Sequence, residues 1–188
     1  MSVPEVVSFL KTWKPSAGLA EPSPEGLNRN LADAVKQQPE KFAGEALMFN
    51  EAHPTYVRAV VSGLADALKE KRTIEWSSVL ALCRWVLEQP RELKEKPQEY
   101  STDCDVDGGG TRSAIGRLLS QGFEEDRLSF DLRPNVWSIL EPLTHDPEPT
   151  PEYEAKYGGS NMDPATLSIN TTRGAAMHSV MKYALWVR

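Results

Sequence analysis

The chain has 188 residues, of which 40% are hydrophobic, and this is enough for one domain with a buried core. Its net charge is −6 at pH 7, and no long run of lysine and arginine stands out. Binding to nucleic acids or to anionic membranes needs clustered basic side chains. The charge therefore argues against both classes of function, and we expect neither nucleic acid nor membrane among the partners.

The sequence indicates a cytoplasmic protein. Residues 1–13 lack the basic start and uninterrupted apolar run of a signal peptide, and no segment approaches the roughly 20 apolar residues of a membrane span. The two cysteines, Cys83 and Cys104, provide no disulfide framework. We expect Cys83 to lie in the core as a small apolar side chain, in a reducing compartment.

The first part of the chain contains four helix starts. Ser2 lies two residues before Pro4 and three residues before Glu5, and this spacing predicts a capped first helix. Ser23, with a proline behind it, predicts a second helix. Pro39 predicts a short third helix over Glu40–Met48, and His53, also before a proline, begins a fourth.

The fourth helix carries small residues at every fourth position, namely Ala59, Gly63 and Ala67. This spacing places them on one side of the helix, where a seam of small residues would let a neighbouring helix approach closely. The simpler alternative is that Gly63 is only tolerated there, at a cost of about 1 kcal/mol relative to alanine.

The stretch Thr73–Pro90 is the most apolar long run of the sequence. As a helix it would spread its apolar residues over about 220° of the helical wheel, much more than the stripe of roughly 100° on a surface helix. Such a helix needs neighbours on two sides, so we expect a central helix with Thr73 as its cap. Its apolar residues are Trp76, Val79, Leu80, Leu82, Cys83, Trp85, Val86 and Leu87.

Three more helices are predicted in the second half of the chain. One covers Thr111–Gln121 and ends at Gly122, which suits the left-handed residue after a helix. Another covers Asn135–Leu143. The last runs from about Ser168 to the end, with an apolar side formed by Ala176, Val180, Tyr183, Ala184 and Val187, and with Met177, Met181 and Leu185 beside it.

Two polar segments, Arg91–Gly110 and His145–Pro164, separate these helices and contain about 20 residues each. Structureless loops of this length are uncommon in compact domains and often carry function. Both segments are acidic. We therefore expect them to form a surface for a basic or polar partner.

The fold class that follows is all-α, because alternation of the strand type is absent over useful lengths. About seven helices in successive antiparallel pairs would stack as an α-α superhelix of the HEAT or armadillo kind. No clean internal repeat supports this arrangement. We expect a single domain over residues 1–188. Because the last helix stays apolar to its end, we also expect this domain to be a fragment of a longer chain. The alternative is a compact domain whose last helix docks fully.

A resemblance supports the longer chain. The segment Asp163–Arg188 (DPATLSINTTRGAAMHSVMKYALWVR), with the preceding Leu143–Gly159, resembles a stretch found inside very large, uncharacterised bacterial proteins that are mostly helical. The resemblance covers about the last quarter of the chain. It implies an internal segment of a larger protein, and it carries no catalytic motif, so no functional residue is transferred.

The sharpest local pattern is Asp103, Asp105 and Asp107, followed by Gly108. Aspartates at alternate positions before a glycine match the first half of an EF-hand loop and predict a calcium or magnesium site. The position of the bidentate glutamate is taken by Ala114, however. The alternative is an acidic loop in which Asp107 or Thr111 caps the next helix.

No other pattern indicates catalysis. The run Gly108–Gly110 before a helix would allow a phosphate to bind there, but the P-loop pattern is missing. The three histidines lie far apart and lack zinc spacing. We therefore expect a helical-repeat scaffold or protein-interaction segment that binds a protein partner or the rest of a larger polypeptide. The alternatives are a metal-dependent regulatory or hydrolytic domain and an adaptor that dimerises through its last helix.

Overall fold

The computed structural model describes residues 1–14, 23–91, 105, 107–158 and 163–188, and all regular structure in these ranges is helical. The all-α prediction is confirmed. No helix in the described ranges is both long and apolar enough to cross a membrane. The α-helices are α1 (Val3–Thr12), α2 (Pro24–Gln37), α3 (Pro39–Gly44), α4 (Pro54–Lys69), α5 (Trp76–Glu88), α6 (Gly109–Glu124), α7 (Arg133–Thr144), α8 (Pro151–Tyr157), α9 (Pro164–Ile169) and α10 (Thr172–Trp186).

The longer helices pack in two rows, and successive helices alternate between the rows. In the first row α2, α4, α6 and α10 lie side by side in this order. In the second row α5 packs against α3, against α7 and against a 3-10 helix at Ala46–Glu51, which α1 covers. Contacts of α3 with α4, of α5 with α6 and of α7 with α10 join the two rows.

Three helices begin where the sequence predicts. The Ser2 hydroxyl accepts a hydrogen bond from an amide three residues on, in a complete capping box. The Ser23 hydroxyl accepts from the Gly26 amide at 3.0 Å. His53 accepts from the Thr55 amide through Nδ1 at 3.3 Å, so the imidazole caps α4.

The predicted central helix is buried on two sides, but its predicted cap is wrong. Glu75 caps α5, because its carboxylate reaches the amides of Ser77 and Ser78 in the first turn while Thr73 lies outside it. The inner positions of the longer row are occupied by α4 and α6, so α5 does not lie in the middle of that row. Cys83 is fully buried, as expected, and burial raises the pKa of its thiol to about 12.

The small-residue seam on α4 is confirmed. A methyl group on Gly63 would lie 2.5 Å from the carbonyl oxygen of Ala32 and 2.8 Å from Cβ of Val35, both in α2. No side chain fits at these distances, so α2 and α4 can pack this closely only around a glycine. We call this contact the Gly63 seam.

The predicted end of the sixth helix at Gly122 is wrong. α6 continues to Glu124, and the left-handed residue behind it is Asp126, with φ of 51°. A methyl group on Gly122 would lie 2.8 Å from Cδ1 of Leu128 and 3.0 Å from the indole of Trp76. The glycine is therefore needed for close side-chain packing inside the helix, not for a turn after it.

Other predicted boundaries also shift. The third helix divides into α3 and the 3-10 helix, and the long loop at His145–Pro164 contains α8. The last helix divides into α9 and α10, because the Thr171 hydroxyl caps a new helix by accepting from the Gly174 amide at 3.2 Å. Most of the loop Arg91–Gly110 lies outside the described residues.

Candidate functional site

The ends of four helices meet in a polar cluster that we call the Arg91 corner. Arg91 follows α5, Asp107 precedes α6, and Asp146 and Glu148 follow α7. The guanidinium of Arg91 contacts Asp107 Oδ2 at 2.6 Å, Asp146 Oδ2 at 3.2 Å and Glu148 Oε2 at 3.2 Å. Only 10% of the Arg91 side chain and 3% of the Asp146 side chain are exposed. One largely buried cation therefore holds three carboxylates.

The first turn of α10 completes the corner. The Thr172 hydroxyl lies 3.0 Å from Glu148 Oε2 and 3.2 Å from the carbonyl oxygen of Gly109. The guanidinium of Arg173 donates to the carbonyl oxygens of Asp146, at 3.3 Å, and Pro149, at 3.0 Å. These bonds tie α10 to the start of α6 and to the segment behind α7.

The electrostatics of the corner are those of a structural ion cluster. Burial alone would lower the pKa of Arg91, but the hydrogen bonds with Asp107 and Asp146 outweigh it and hold that pKa above its ordinary value. Burial raises the pKa of Glu148, against the opposing effects of Thr172 and Arg91. Arg91 therefore stays charged, and burial makes Glu148 ionise less readily than an ordinary glutamate.

The aspartates of the predicted metal site have protein partners. Asp105 is buried, and its carboxylate accepts from the amides of Gly110 at 3.1 Å and Thr111 at 2.6 Å. Asp107 accepts from the Gly109 amide at 2.9 Å. Both carboxylates thus cap the first turn of α6, which agrees with the capping alternative for Asp107. Asp105, which that alternative did not name, is the more deeply buried cap.

The three-aspartate metal site stays a prediction, since Asp103 lies outside the described residues. Among the residues that the structure does describe, no group of three or more His, Cys, Asp or Glu side chains could hold a metal ion. Asp105 also occupies amide groups of the α6 first turn that a phosphate would need.

Each of the three glycines at the start of α6 is required there for a different structural reason. Gly108 adopts a left-handed φ of 74°. A methyl group on Gly109 would lie 2.6 Å from Nη2 of Arg91, and one on Gly110 would lie 3.1 Å from Cδ of Arg58. The glycine run therefore makes room for two arginines, which the sequence pattern alone does not reveal.

A cavity of about 420 Å³ opens beside the corner, between α4, α5 and α6. Its walls are mainly apolar and include Val57, Trp85 and Val86. Arg112 forms its polar side, and Nη2 of this arginine donates to the carbonyl oxygens of Val86 at 3.2 Å and Gln89 at 2.8 Å. Arg112 therefore caps the C-terminal end of α5, and burial, followed by repulsion from Arg91, lowers its pKa.

A second exposed feature is an apolar stripe along α10. Met177, Met181 and Leu185 are four residues apart, and 52%, 66% and 67% of their respective surfaces are exposed. We call these three residues the α10 stripe. The other side of the helix is buried against α6, where the Ser179 hydroxyl donates to the carbonyl oxygen of Gly116. α10 is thus apolar on both its buried side and its exposed side.

Aromatic side chains fix α10 to its neighbours. The ring centroids of Trp186 and Phe123 in α6 are 5.2 Å apart, and those of Tyr183 and Trp137 in α7 are also 5.2 Å apart. Phe130 lies against Trp186 at 5.6 Å. The helix that carries the stripe is therefore anchored on α6 and α7 by rings and at its N-terminal end by the Arg91 corner.

Comparison of the chain with protein-family models, with curated proteins and with solved structures gave no match. No residue role is therefore transferred from another protein. The α10 stripe and the Arg91 corner are identified by geometry alone. The sequence predicts the three stripe residues beside the apolar side of the last helix, but no sequence pattern indicates Arg91, Asp146 or Glu148.

Proposed function

We propose that the chain is a helical-repeat, HEAT- or armadillo-like scaffold segment of a larger bacterial protein, and that it works by binding protein, not by catalysis. The observation that carries the proposal is the α10 stripe. Methionine and leucine side chains that are more than half exposed along one side of a helix are typical of an interaction surface. A helix that is apolar on opposite sides normally has neighbours on both.

The stripe lies on the helix at the end of its row, where one side has no neighbouring helix among the described residues. α4 lies between α2 and α6, and α6 lies between α4 and α10, whereas α10 has α6 as its one neighbour in the row among the described helices. In helical repeats each new pair of helices packs on the pair before it. A further helix, from the same polypeptide or from a partner, would occupy the free side of α10.

The Arg91 corner supports a scaffold role because it fixes the helix that presents the stripe. Interaction surfaces are more precise on rigid elements than on loops. Arg91 and its carboxylates connect the ends of α5, α6 and α7, and Thr172 connects them to α10. The angle at which α10 presents its exposed side is therefore set by bonds at its first turn as well as by packing.

The test is a selection of displayed helical peptides of about 18 residues, which have a fixed leucine seam and freely varied flanking positions, against the intact chain. We expect enriched peptides to bind the parent protein and to lose about tenfold or more in affinity for the double variant Met181→Asp, Leu185→Asp. The matched control is Met48→Asp, which also places a carboxylate on an exposed apolar residue, in the 3-10 helix at the other end of the fold, and should leave binding unchanged.

Binding that survives in the stripe variant would contradict the proposal. Circular dichroism must first show that this variant keeps its helix content, which is expected because both residues are exposed. The larger-protein part has its own test, an immunoblot of source cells. A native polypeptide close to 20.9 kDa would contradict it.

A further inference from the structure

The last 17 residues of the chain carry basic side chains and no acidic ones. Thr172–Arg188 contains Arg173, His178, Lys182 and Arg188 but neither Asp nor Glu, although the whole chain has 27 acidic residues and a net charge of −6. Cations near the C-terminal end of a helix are common because they complement its dipole. A helix without any acidic residue, in an acidic protein, is not explained by the dipole.

These basic residues border the α10 stripe. At 100° per residue, His178 and Lys182 fall along one edge of the stripe and Arg173 along the other. Arg188 follows the stripe at its C-terminal end and is exposed. The Arg173 guanidinium is held at the Arg91 corner by two carbonyl oxygens, and Lys182 contacts Glu124 of α6 at 2.6 Å, so the charge of this lysine is partly offset. Arg188 has no ion pair within the described ranges and is the border residue most available to a partner.

We propose that the α10 stripe binds an amphipathic helix whose apolar seam is flanked by acidic residues. The inference rests on the proposed function and names the chemistry of its partner. Two methionines give the stripe an adaptable apolar surface, and the basic border would attract glutamate or aspartate beside the partner's seam. The stripe spans eight residue steps, or about 12 Å, so a partner helix of three to four turns would cover it.

The same border disfavours a second copy of this chain as the occupant. In a two-fold antiparallel pair of α10 helices, basic residues of one copy would face basic residues of the other. Like charges placed opposite each other across an interface weaken it. An acidic helix meets no such repulsion.

The experiment is the peptide selection described above, read now for the charge of the flanking positions, which start with equal shares of Glu, Lys, Gln and Ser. We expect Glu to exceed Lys at least fivefold among enriched peptides. A synthetic Glu-flanked peptide should bind about tenfold more tightly than its Lys-flanked counterpart at 50 mM salt. This advantage should fall to about twofold or less at 500 mM, because salt screens exposed charges.

Two charge-reversal variants locate the effect. Arg188→Glu should remove most of the preference for the Glu-flanked peptide, since it places an acid at the end of the stripe. Arg84→Glu makes the same change of charge at an exposed position of α5, and it should leave the preference intact. Equal loss of preference in both variants would mean that net charge, not the border of the stripe, selects the peptide, and would overturn the inference.

The remaining outcomes separate the inference from the proposed function. Stripe-dependent binding without preference for Glu, or with preference for Lys, overturns the acidic partner and leaves helix docking intact. No stripe-dependent enrichment overturns both. A concentration-dependent dimer in light scattering that Met181→Asp abolishes would identify a second copy as the occupant and would also overturn the acidic partner.

Discussion

The chain joins its helices in two different ways, and the Gly63 seam and the Arg91 corner represent them. At the seam the middles of α2 and α4 meet so closely that no Cβ atom fits between them. At the corner the ends of helices are joined by a buried guanidinium and three carboxylates. The seam depends on one glycine in one helix, while Arg91 reaches partners 16, 55 and 57 residues away in the sequence.

The two joints constrain the fold differently. Apolar packing is favourable in many orientations, because it depends mainly on the area removed from water. Hydrogen bonds between a guanidinium and carboxylates have a fixed planar geometry and therefore fix direction as well. The seam thus sets the distance between α2 and α4, whereas the corner helps to set the direction of α10. The α10 stripe therefore lies on a helix whose direction is fixed by directional bonds at its first turn.

The largest expected effect is the loss of the corner. Arg91→Ala leaves three carboxylates together in a largely buried site without their cation. Removing one partner of a fully buried ion pair costs about 3–5 kcal/mol, and we expect the lower part of that range here. Urea unfolding measures the free energy. The control is Arg72→Ala, which removes an exposed pair with Glu40 and should cost less than about 1 kcal/mol. If both variants lose the same stability, the corner is no stronger than a surface ion pair.

The seam gives the second effect. In Gly63→Ala the new methyl group meets the Ala32 carbonyl oxygen, a backbone atom that cannot rotate away, so α2 and α4 must separate. Overpacking of this kind costs about 1–3 kcal/mol, and we expect the upper part of that range. Gly44→Ala is the control, since a methyl group there meets nothing within 4 Å. It should be neutral or stabilise by up to about 1 kcal/mol; equal losses in both variants would contradict the seam.

The contrast also explains which features the sequence could predict. Helix starts at Ser2 and Ser23 depend on residues within one turn, and the Gly63 seam depends on spacing within one helix, so all three follow from local patterns. The Arg91 corner depends on residues that only the complete fold brings together. The role of Gly122 could not be predicted for the same reason, because the side chains that require a glycine there, Leu128 and Trp76, both lie outside its helix.

The two faces of α10 also show that local sequence patterns cannot predict contacts that only the complete fold creates. The sequence shows that the helix is apolar around much of its circumference, and periodicity alone cannot decide which side is buried. Contacts with α6 and α7 make that decision, and they leave Met177, Met181 and Leu185 exposed. The metal prediction used local spacing as well, but the amide groups of α6 that bind Asp105 could not be assigned from spacing.

The smallest effect concerns the charge of one carboxylate in the corner. Burial raises the pKa of Glu148 above its ordinary value of 4.5. A carboxyl group whose pKa is raised by folding contributes its full stability below the ordinary pKa and loses it as the pH rises through the folded pKa. Glu148→Gln imitates the protonated acid and keeps an oxygen for Thr172. Its stability relative to the parent protein should therefore increase between pH 4 and pH 7.

A control of opposite sign makes this prediction specific. Hydrogen bonds from the backbone and from Arg72 lower the pKa of the exposed Glu40. Its contribution is present above the ordinary pKa and is lost as the pH falls, so Glu40→Gln should become less stable relative to the parent between pH 4 and pH 7. Urea unfolding at both values gives the two differences. If the Glu148→Gln difference is flat or falls with pH, Arg91 and Thr172 together outweigh burial at this carboxylate, and the prediction is wrong.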